Sequence, residues 1–134
     1  TFTKFTDISK ETWTWDVPCS FEFEITDDQF TYNSYIDLRL TDNYPKSNIY
    51  IKSQMVTPAG DTINDLFPLL LFNKEGVTLG TKSGKLMNYS KPISMNKPMA
   101  KGKYSVTLIQ HTRVFDLSGV TAVGYSIKKG EPVF

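Results

Sequence analysis

The chain has 134 residues, is 40% hydrophobic and 22% charged, and carries 15 basic against 14 acidic side chains for a formal net charge of +1. That length suits a single domain over residues 1–134, able to bury a core without disulfides or metal. The near-zero charge excludes a broad electrostatic pull toward nucleic acid or an anionic membrane, and all the basic residues except Arg39 and Arg113 are lysines scattered singly, whereas a phosphate-tracking surface clusters its cations.

Short alternating segments separated by turn chemistry follow one another along the chain, and no long stretch has helical periodicity. Trp13 and Trp15 stand at i and i+2, which puts both on one face of any strand they occupy. Phe21-Glu22-Phe23-Glu24-Ile25 sets Phe and Ile on one face and Glu on the other, with Asp27-Asp28 supplying the turn that follows. Tyr35 to Leu40 repeats the period, then the polar link Tyr44-Pro45-Lys46-Ser47-Asn48 intervenes before Ile49 to Val56 takes it up again. Pro58-Ala59-Gly60-Asp61 turns the chain and Ile63 to Phe72 forms the next strand. Gly76, Gly80 and Gly84 punctuate a loop-rich region; Leu86 to Ile93, Lys103 to Gln110 and Val120 to Ile127 are the remaining strands. The fold class is therefore all-β: a two-layer antiparallel β-sandwich of about seven to nine strands, immunoglobulin-like or jelly-roll-like.

Little of the usual catalytic or metal chemistry is supplied. Cys19 is the only cysteine and His111 the only histidine, so neither an intrachain disulfide nor a Cys/His zinc set can form. Cys19 reads as a small core residue. Around His111, Gln110-His111-Thr112-Arg113 offers no catalytic signature, and a strand-end histidine is the plainer reading. Glu22 and Glu24 share a strand face at the separation of a retaining carboxylate pair, but outward strand faces place acids at i and i+2 constantly, with nothing to raise a pKa or line a cleft. Asp27, Asp28, Asp61 and Asp65 lack a calcium-loop pattern and suit turn capping, and the glycines form no phosphate loop. No cofactor, metal, nucleic acid or small-molecule substrate is expected. The aromatic residues keep two readings open. Trp13, Trp15, Tyr32, Tyr35, Tyr44, Tyr50 and Tyr89 fill the space between sheets, or some of them are exposed rings of a carbohydrate-binding module. Core packing is favoured for the tryptophans. No apolar run approaches the roughly 18 residues of a membrane span, and a start at Thr1 reads as trimmed, leaving room for an export signal ahead of it.

The link is also where a family resemblance begins. "YPKSNIYI" is similar to the YPYSNLYL-type signature of the gliding motility-associated lipoproteins called GldH, and the likeness continues in order over about residues 13–129. Trp13 and "YIDLRLTDNYP", containing Arg39, lie upstream; "PAGDTIND" resembles a shortened G-x-x-x-D-T element. Gly76 and Leu79-Gly80 match a G-x-W-L-G-x-G region, with Thr78 where Trp is usual. "KGKYSVTLIQHTR" resembles G-x-Y-x-F-x-I-x-Q-x-M-R through Gly102, Tyr104, Gln110 and Arg113, with Thr112 for Met. "LSGVTAVGYSIKK" resembles L-x-G-I-x-D-V-G-L-R-I-x-K through Gly124, with Ala122 for Asp and Ser126 for Arg. The resemblance implies a divergent member of a non-enzymatic lipoprotein family. Its lipid would sit on a cysteine upstream of Thr1, holding the domain at a Gram-negative envelope membrane, facing the periplasm, among other envelope or motility proteins as partners. The matched residues Arg39, Tyr44, Pro45, Asn48, Gly80, Tyr104, Gln110, Arg113 and Gly124 are the candidate contact set. Physically, Pro45 restricts its own φ and pushes Tyr44 to extended conformations, while Ser47 and Asn48 are expected to fix the loop by bonding nearby backbone. Arg39 and Arg113, the only bidentate forks, are expected to span carboxylates or carbonyls and tie loops to the sandwich.

Overall fold

The computed structural model describes residues 2–112 and 115–133, and every strand pairing in it is antiparallel. In chain order the strands are β1 (Phe2–Asp7), β2 (Thr12–Thr14), β3 (Cys19–Ile25), β4 (Phe30–Thr41), β5 (Asn48–Val56), β6 (Thr62–Leu70), β7 (Thr81–Ser83), β8 (Leu86–Pro98), β9 (Gly102–Gln110), β10 (Asp116–Ser118) and β11 (Val120–Pro132). One 3-10 turn, Ser9–Glu11, is the only helical element among the described residues.

Two sheets carry the architecture. One has five strands in the order β1-β11-β4-β8-β7, the other four in the order β3-β9-β5-β6, and β10 with β2 forms a separate two-stranded ribbon. The two-layer all-β expectation holds, with nine strands in the two sheets. β3 shows why: Cys19, Phe21, Phe23 and Ile25 are buried while Ser20, Glu22 and Glu24 are exposed, a strict period of two. Ile36, Leu38, Leu40, Val123 and Ile127 of the first sheet and Ile49, Ile51, Val106 and Leu108 of the second are all buried in one cluster, each worth about 1.5–3 kcal/mol of hydrophobic stabilisation. Aromatics bridge the layers. The Phe23 ring stacks on Tyr104 of its own sheet at 5.2 Å and on Tyr125 of the other at 6.0 Å.

Several elements differ from the sequence expectation. β4 begins at Phe30, β8 runs on to Pro98 and β11 to Pro132, because bulges let each strand continue past the point where clean alternation fails. The strand expected over Ile63 to Phe72 ends at Leu70, after which Phe72 makes only an isolated bridge to Thr78. β1 pairs in regular register but carries apolar residues on both faces, so its sequence does not alternate: Phe2 packs inward on Phe23, at 5.7 Å between rings, whereas Phe5, three positions on, lies on the outer face.

Antiparallel pairing sorts the connections to two ends. Leu40 pairs with Val120 and Thr41 with Leu86, so the end of β4 meets the starts of β11 and β8. The connections 8–18, 42–47 and 71–80, with 111–112 and 115–119, therefore share one end of the sandwich, and 26–29, 57–61 and 99–101 share the other.

Candidate functional site

The end with the 42–47 connection gathers most of the matched residues. Tyr44 is buried; its hydroxyl donates to the Asn48 carbonyl at 2.7 Å and its N–H to the Thr41 carbonyl at 3.1 Å, closing the link on itself. Burial pushes the Tyr44 phenol well above its ordinary pKa, with nearby Tyr89 adding to the effect. Ser47 and Asn48 do fix the loop, but through main-chain carbonyls rather than side chains: Ser47 accepts from the Leu71 and Phe72 N–H groups at 2.8 and 3.3 Å. Pro45 is exposed at the tip. Behind the link, Gly119 has φ +84°, and a Cβ there would lie 2.6 Å from the Tyr44 nitrogen, so this approach admits only glycine. Gly119 also accepts from the Thr41 N–H and donates to the Glu11 carbonyl, each at 2.8 Å.

Gly80 serves the same packing from the next loop, since a Cβ would meet the Asn88 carbonyl at 2.5 Å and the Tyr89 ring at 2.7 Å. Thr78, standing where the resembling pattern has Trp, shares a 2.7 Å hydrogen bond with the Tyr89 hydroxyl and accepts from the Gly80 N–H.

Gln110, 1% exposed, is a clamp. Its Nε2 donates to the carbonyls of Trp13 and Phe115 at 3.4 and 3.3 Å, and its Oε1 accepts from the Thr112 N–H. Thr112 in turn accepts from the Tyr50 N–H on its hydroxyl and from the Trp15 indole on its carbonyl. Trp13 is fully buried, with its indole N–H bonded to the Val17 carbonyl at 2.9 Å. Trp15 corrects the sequence reading. β2 ends at Thr14, so the i, i+2 argument does not reach Trp15, which is 45% exposed and packs edge-on against Phe115, ring centroids 5.5 Å apart at 74°. Arg113 lies outside the described residues. Tyr104 belongs to the opposite end, stacked on Phe23 with its hydroxyl on the Ala100 carbonyl at 2.8 Å.

Arg39 and Gly124 meet on the outer face of the five-stranded sheet. Gly124 pairs with both Phe5 and Asp37, and without a Cβ it lets the Phe5 ring lie across β11. That ring receives the Arg39 guanidinium 5.0 Å from its centroid, while Arg39 Nε donates to Asn88 Oδ1 at 3.0 Å. The expected fork to a carboxylate or paired carbonyls is thus replaced by one amide bond and a ring contact. Beside it lies a buried carboxylate that the sequence reading missed. Ser90 donates to Asp37 Oδ1 at 2.6 Å, Ser126 donates to Oδ2, and Thr3 donates to Ser126 at 3.2 Å, a hydrogen-bonded row across β1, β11, β4 and β8. Only the placing of Asp37 among outward polar residues hinted at it, a signal that an ordinary wet strand face gives equally.

Around the link the surface is apolar. Trp15, Val17, Leu70, Val77, Leu79 and Phe115 are all exposed at this end. A groove of 690 Å³ runs between the link and the 70–76 segment, walled by Pro45, Leu70 and Phe72 with Lys46 and Lys74 among its lining. The residues considered for other chemistry do not gather there. His111 is exposed, its N–H on the Tyr50 carbonyl. Glu22 and Glu24 do border a 390 Å³ depression beside Lys103 and Tyr104, which the strand pattern did not reveal. Asp27 caps its turn by accepting from the Gln29 N–H and pairs with Lys129 at 3.2 Å, and that hydrogen bond and the Lys129 contact hold its carboxyl below the usual range. Among the described residues no three His, Cys, Asp or Glu side chains converge as metal ligands would.

Comparison with known proteins decides the family. A family model described as "GldH lipoprotein" matches residues 1–127. The chain belongs to the GldH lipoprotein family. The gliding motility lipoprotein GldH of Flavobacterium johnsoniae is 30% identical over 129 residues, covering 87% of this chain and 77% of the relative. A GldH homolog of Christiangramia forsetii is 27% identical over 131 residues, covering 89% of this chain and 78% of its own length. Among solved structures, one of infectious bursal disease virus, Gx strain, covers 97% of this chain and 32% of its own at 15% identity and a TM-score of 0.39, a likeness too slight to bear on the GldH fold or function.

Proposed function

We propose that this GldH-family chain is a non-catalytic, lipid-anchored envelope domain of the gliding-motility apparatus, facing the periplasm and acting through protein contacts made by the end that carries Tyr44, Pro45 and Gly80. The observation that supports this reading best is the coincidence, at that one end, of the matched loops with six exposed apolar side chains and a groove whose lining includes Lys46 and Lys74. An apolar centre with a charged rim is the anatomy of a protein interface. The anchor agrees with the geometry. β1 runs toward the Tyr44 end from Phe2, which pairs with Ile127 partway along β11, so a lipid ahead of Thr1 would lie on the side away from the matched loops.

The glycan-binding alternative finds less support. Sugar stacking calls for exposed coplanar rings, whereas Trp13, Tyr32, Tyr44 and Tyr89 are buried and Trp15 stands nearly perpendicular to Phe115.

Photo-crosslinking residues placed in cells at Lys46, Val77 and Trp15 should capture one defined envelope protein, and the same residue at Glu22, on the outer face of β3, should not. Equal capture from both surfaces, or none from either, would refute the contact reading; binding of soluble glycans blocked by changes at Trp15 would replace it.

A further inference from the structure

The two sheets part on the side where β6 and β8 face each other. β7 covers only Leu86 to Asn88 of β8, so beyond that point β8 is an edge, as β6 is in the other sheet. Between them lies a cavity of 140 Å³. Its floor breaks the rule of the core. Inward positions hold Ile36, Leu38 and Leu40 on β4 and Ile49 and Ile51 on β5, yet at this level they become Ser34 and Ser53, 4% and 5% exposed. Ser34 and Tyr125 both border the cavity. The Ser53 hydroxyl has no partner among the described residues and borders the cavity. Among the described residues no buried side-chain oxygen or nitrogen lacks a partner, so this hydroxyl is open to the cleft, where a ligand atom can take the place of water.

The β8 wall is specially built. Relative to β4 its register slips twice, between Tyr32 and Ser34 and again between Ser34 and Tyr35, and Asn96 within the slip has φ +54° with its N–H held by Asn33 Oδ1 at 2.8 Å. Bulges re-aim side chains, and here Ile93, Ser94 and Lys97 all reach the cavity. Phe67 and Met99 add apolar wall. Lys97 and Asp65 both border the space and are exposed, and neither is ion-paired with the other or with any charge among the described residues.

We propose that this cleft is a binding site for a compact zwitterion with an apolar body, the class of free α-amino acids with aliphatic or thioether side chains. The side chain enters between Phe67, Ile93 and Met99; a cavity of about 150 Å³ already holds a benzene-sized group. The ammonium meets Asp65, the carboxylate meets Lys97, and the hydroxyls of Ser53 and Ser94 are within the same space for whichever ligand oxygen turns inward. The site lies at the other end of the fold from the Tyr44 link, so it stands or falls independently of the contact reading above.

Titration of the isotope-labelled 134-residue chain with L-leucine or L-methionine, followed by amide chemical shifts, tests the assignment. Saturable shifts are expected at Ser53, Ile93, Ser94 and Lys97, with none at Tyr44 to Asn48. Asp65→Asn and Lys97→Gln alter exposed side chains and should leave the spectrum otherwise intact, yet each should weaken binding roughly tenfold or more, as removal of one charged contact of about 1.4 kcal/mol does. N-acetyl-leucine, which lacks the ammonium, should bind as weakly to the parent as leucine does to Asp65→Asn. Absence of saturable shifts at millimolar amino acid, saturable binding that neither substitution weakens, or N-acetyl-leucine binding as tightly as leucine would each overturn the proposal.

Discussion

Gly124→Ala probes the least obvious contact in the molecule. A Cβ at this position would lie 2.8 Å from Phe5 Cδ2 and 2.9 Å from the Lys4 carbonyl. The ring can lift but the carbonyl cannot, because Lys4 is held by its pairing with Tyr125 in the β1–β11 ladder. Overpacking of this kind costs about 1–3 kcal/mol. Lifting the ring also withdraws it from Arg39, at about 0.5–1 kcal/mol for an exposed cation–π contact. Against this, alanine restricts the unfolded chain, a gain of about 0.4–1 kcal/mol where the backbone conformation suits it, as it does in this extended strand. The net expectation is a loss of about 0.5–3.5 kcal/mol, centred near 2, read as a lower urea midpoint with an unchanged slope. The test is the cycle with Phe5→Ala. With the ring gone, part of the clash and all of the lost ring contact vanish, so Gly124→Ala should cost at least about 0.5 kcal/mol less in that background. A neutral or stabilising Gly124→Ala, or one whose cost is the same with and without Phe5, would refute the account of why this strand carries glycine.

Other expectations concern the core, the same outer face and pH. Trp13→Ala should cost about 3–5 kcal/mol in denaturant titration, because the ring is fully buried and bonded to Val17. An unchanged midpoint would contradict its place in the core. Arg39→Lys should cost about 1 kcal/mol, since an ammonium cannot reproduce the planar Nε bond to Asn88, although it retains some attraction to the Phe5 ring. Burial pushes the Cys19 thiol from 9.0 up to about 11, so the folded state holds that proton more tightly than the unfolded one. Its contribution is intact below pH 9 and is lost as pH rises toward 11, at about 1.4 kcal/mol per unit, and Cys19→Ala should flatten that part of the stability profile. Ala122→Asp should couple favourably to Arg39, its direct cross-strand neighbour, by about 0.5 kcal/mol or more in a cycle with Arg39→Met, and strict additivity would deny the two positions any contact.

Strands with one wet face were legible because burial imposes a period of two, and β3 shows it without exception. β1 was not, because its two phenylalanines serve opposite faces, and β2, β7 and β10 have three residues each, too few to show any period. The matched loops could be read as a set only through the family resemblance, since nothing local in Tyr44 or Gly119 announces that one backbone packs on the other. Trp15 was misread because the face argument assumes a strand, and the strand stops one residue earlier. The inter-sheet cleft was invisible for a different reason. Ser34 and Ser53 sit at inward positions of otherwise regular patterns, where a serine in the sequence looks the same whether it faces solvent, a neighbour or a void.

The departures from the family pattern are tied to each other through the sheet. Ala122, where the pattern carries Asp, is the direct cross-strand neighbour of Arg39, and Ser126, where it carries Arg, bonds Asp37. A chain with the family residues would set a carboxylate opposite Arg39 and a guanidinium beside Asp37, two opposite-charge pairs on one outer face. This chain has neither, yet both partners remain. Arg39 is satisfied by Asn88 and the Phe5 ring, and Asp37 by the hydroxyls of Ser90 and Ser126, which in turn accepts from Thr3. Removing one member of a buried ion pair without replacement is strongly destabilising, because it leaves a desolvated charge alone. Here each lost charge is answered by neutral hydrogen-bonding groups from strands on either side, so the face keeps its polar satisfaction while losing its ionic character. Arg39 and Asp37 thus hold β1, β11, β4 and β8 together on their outer side.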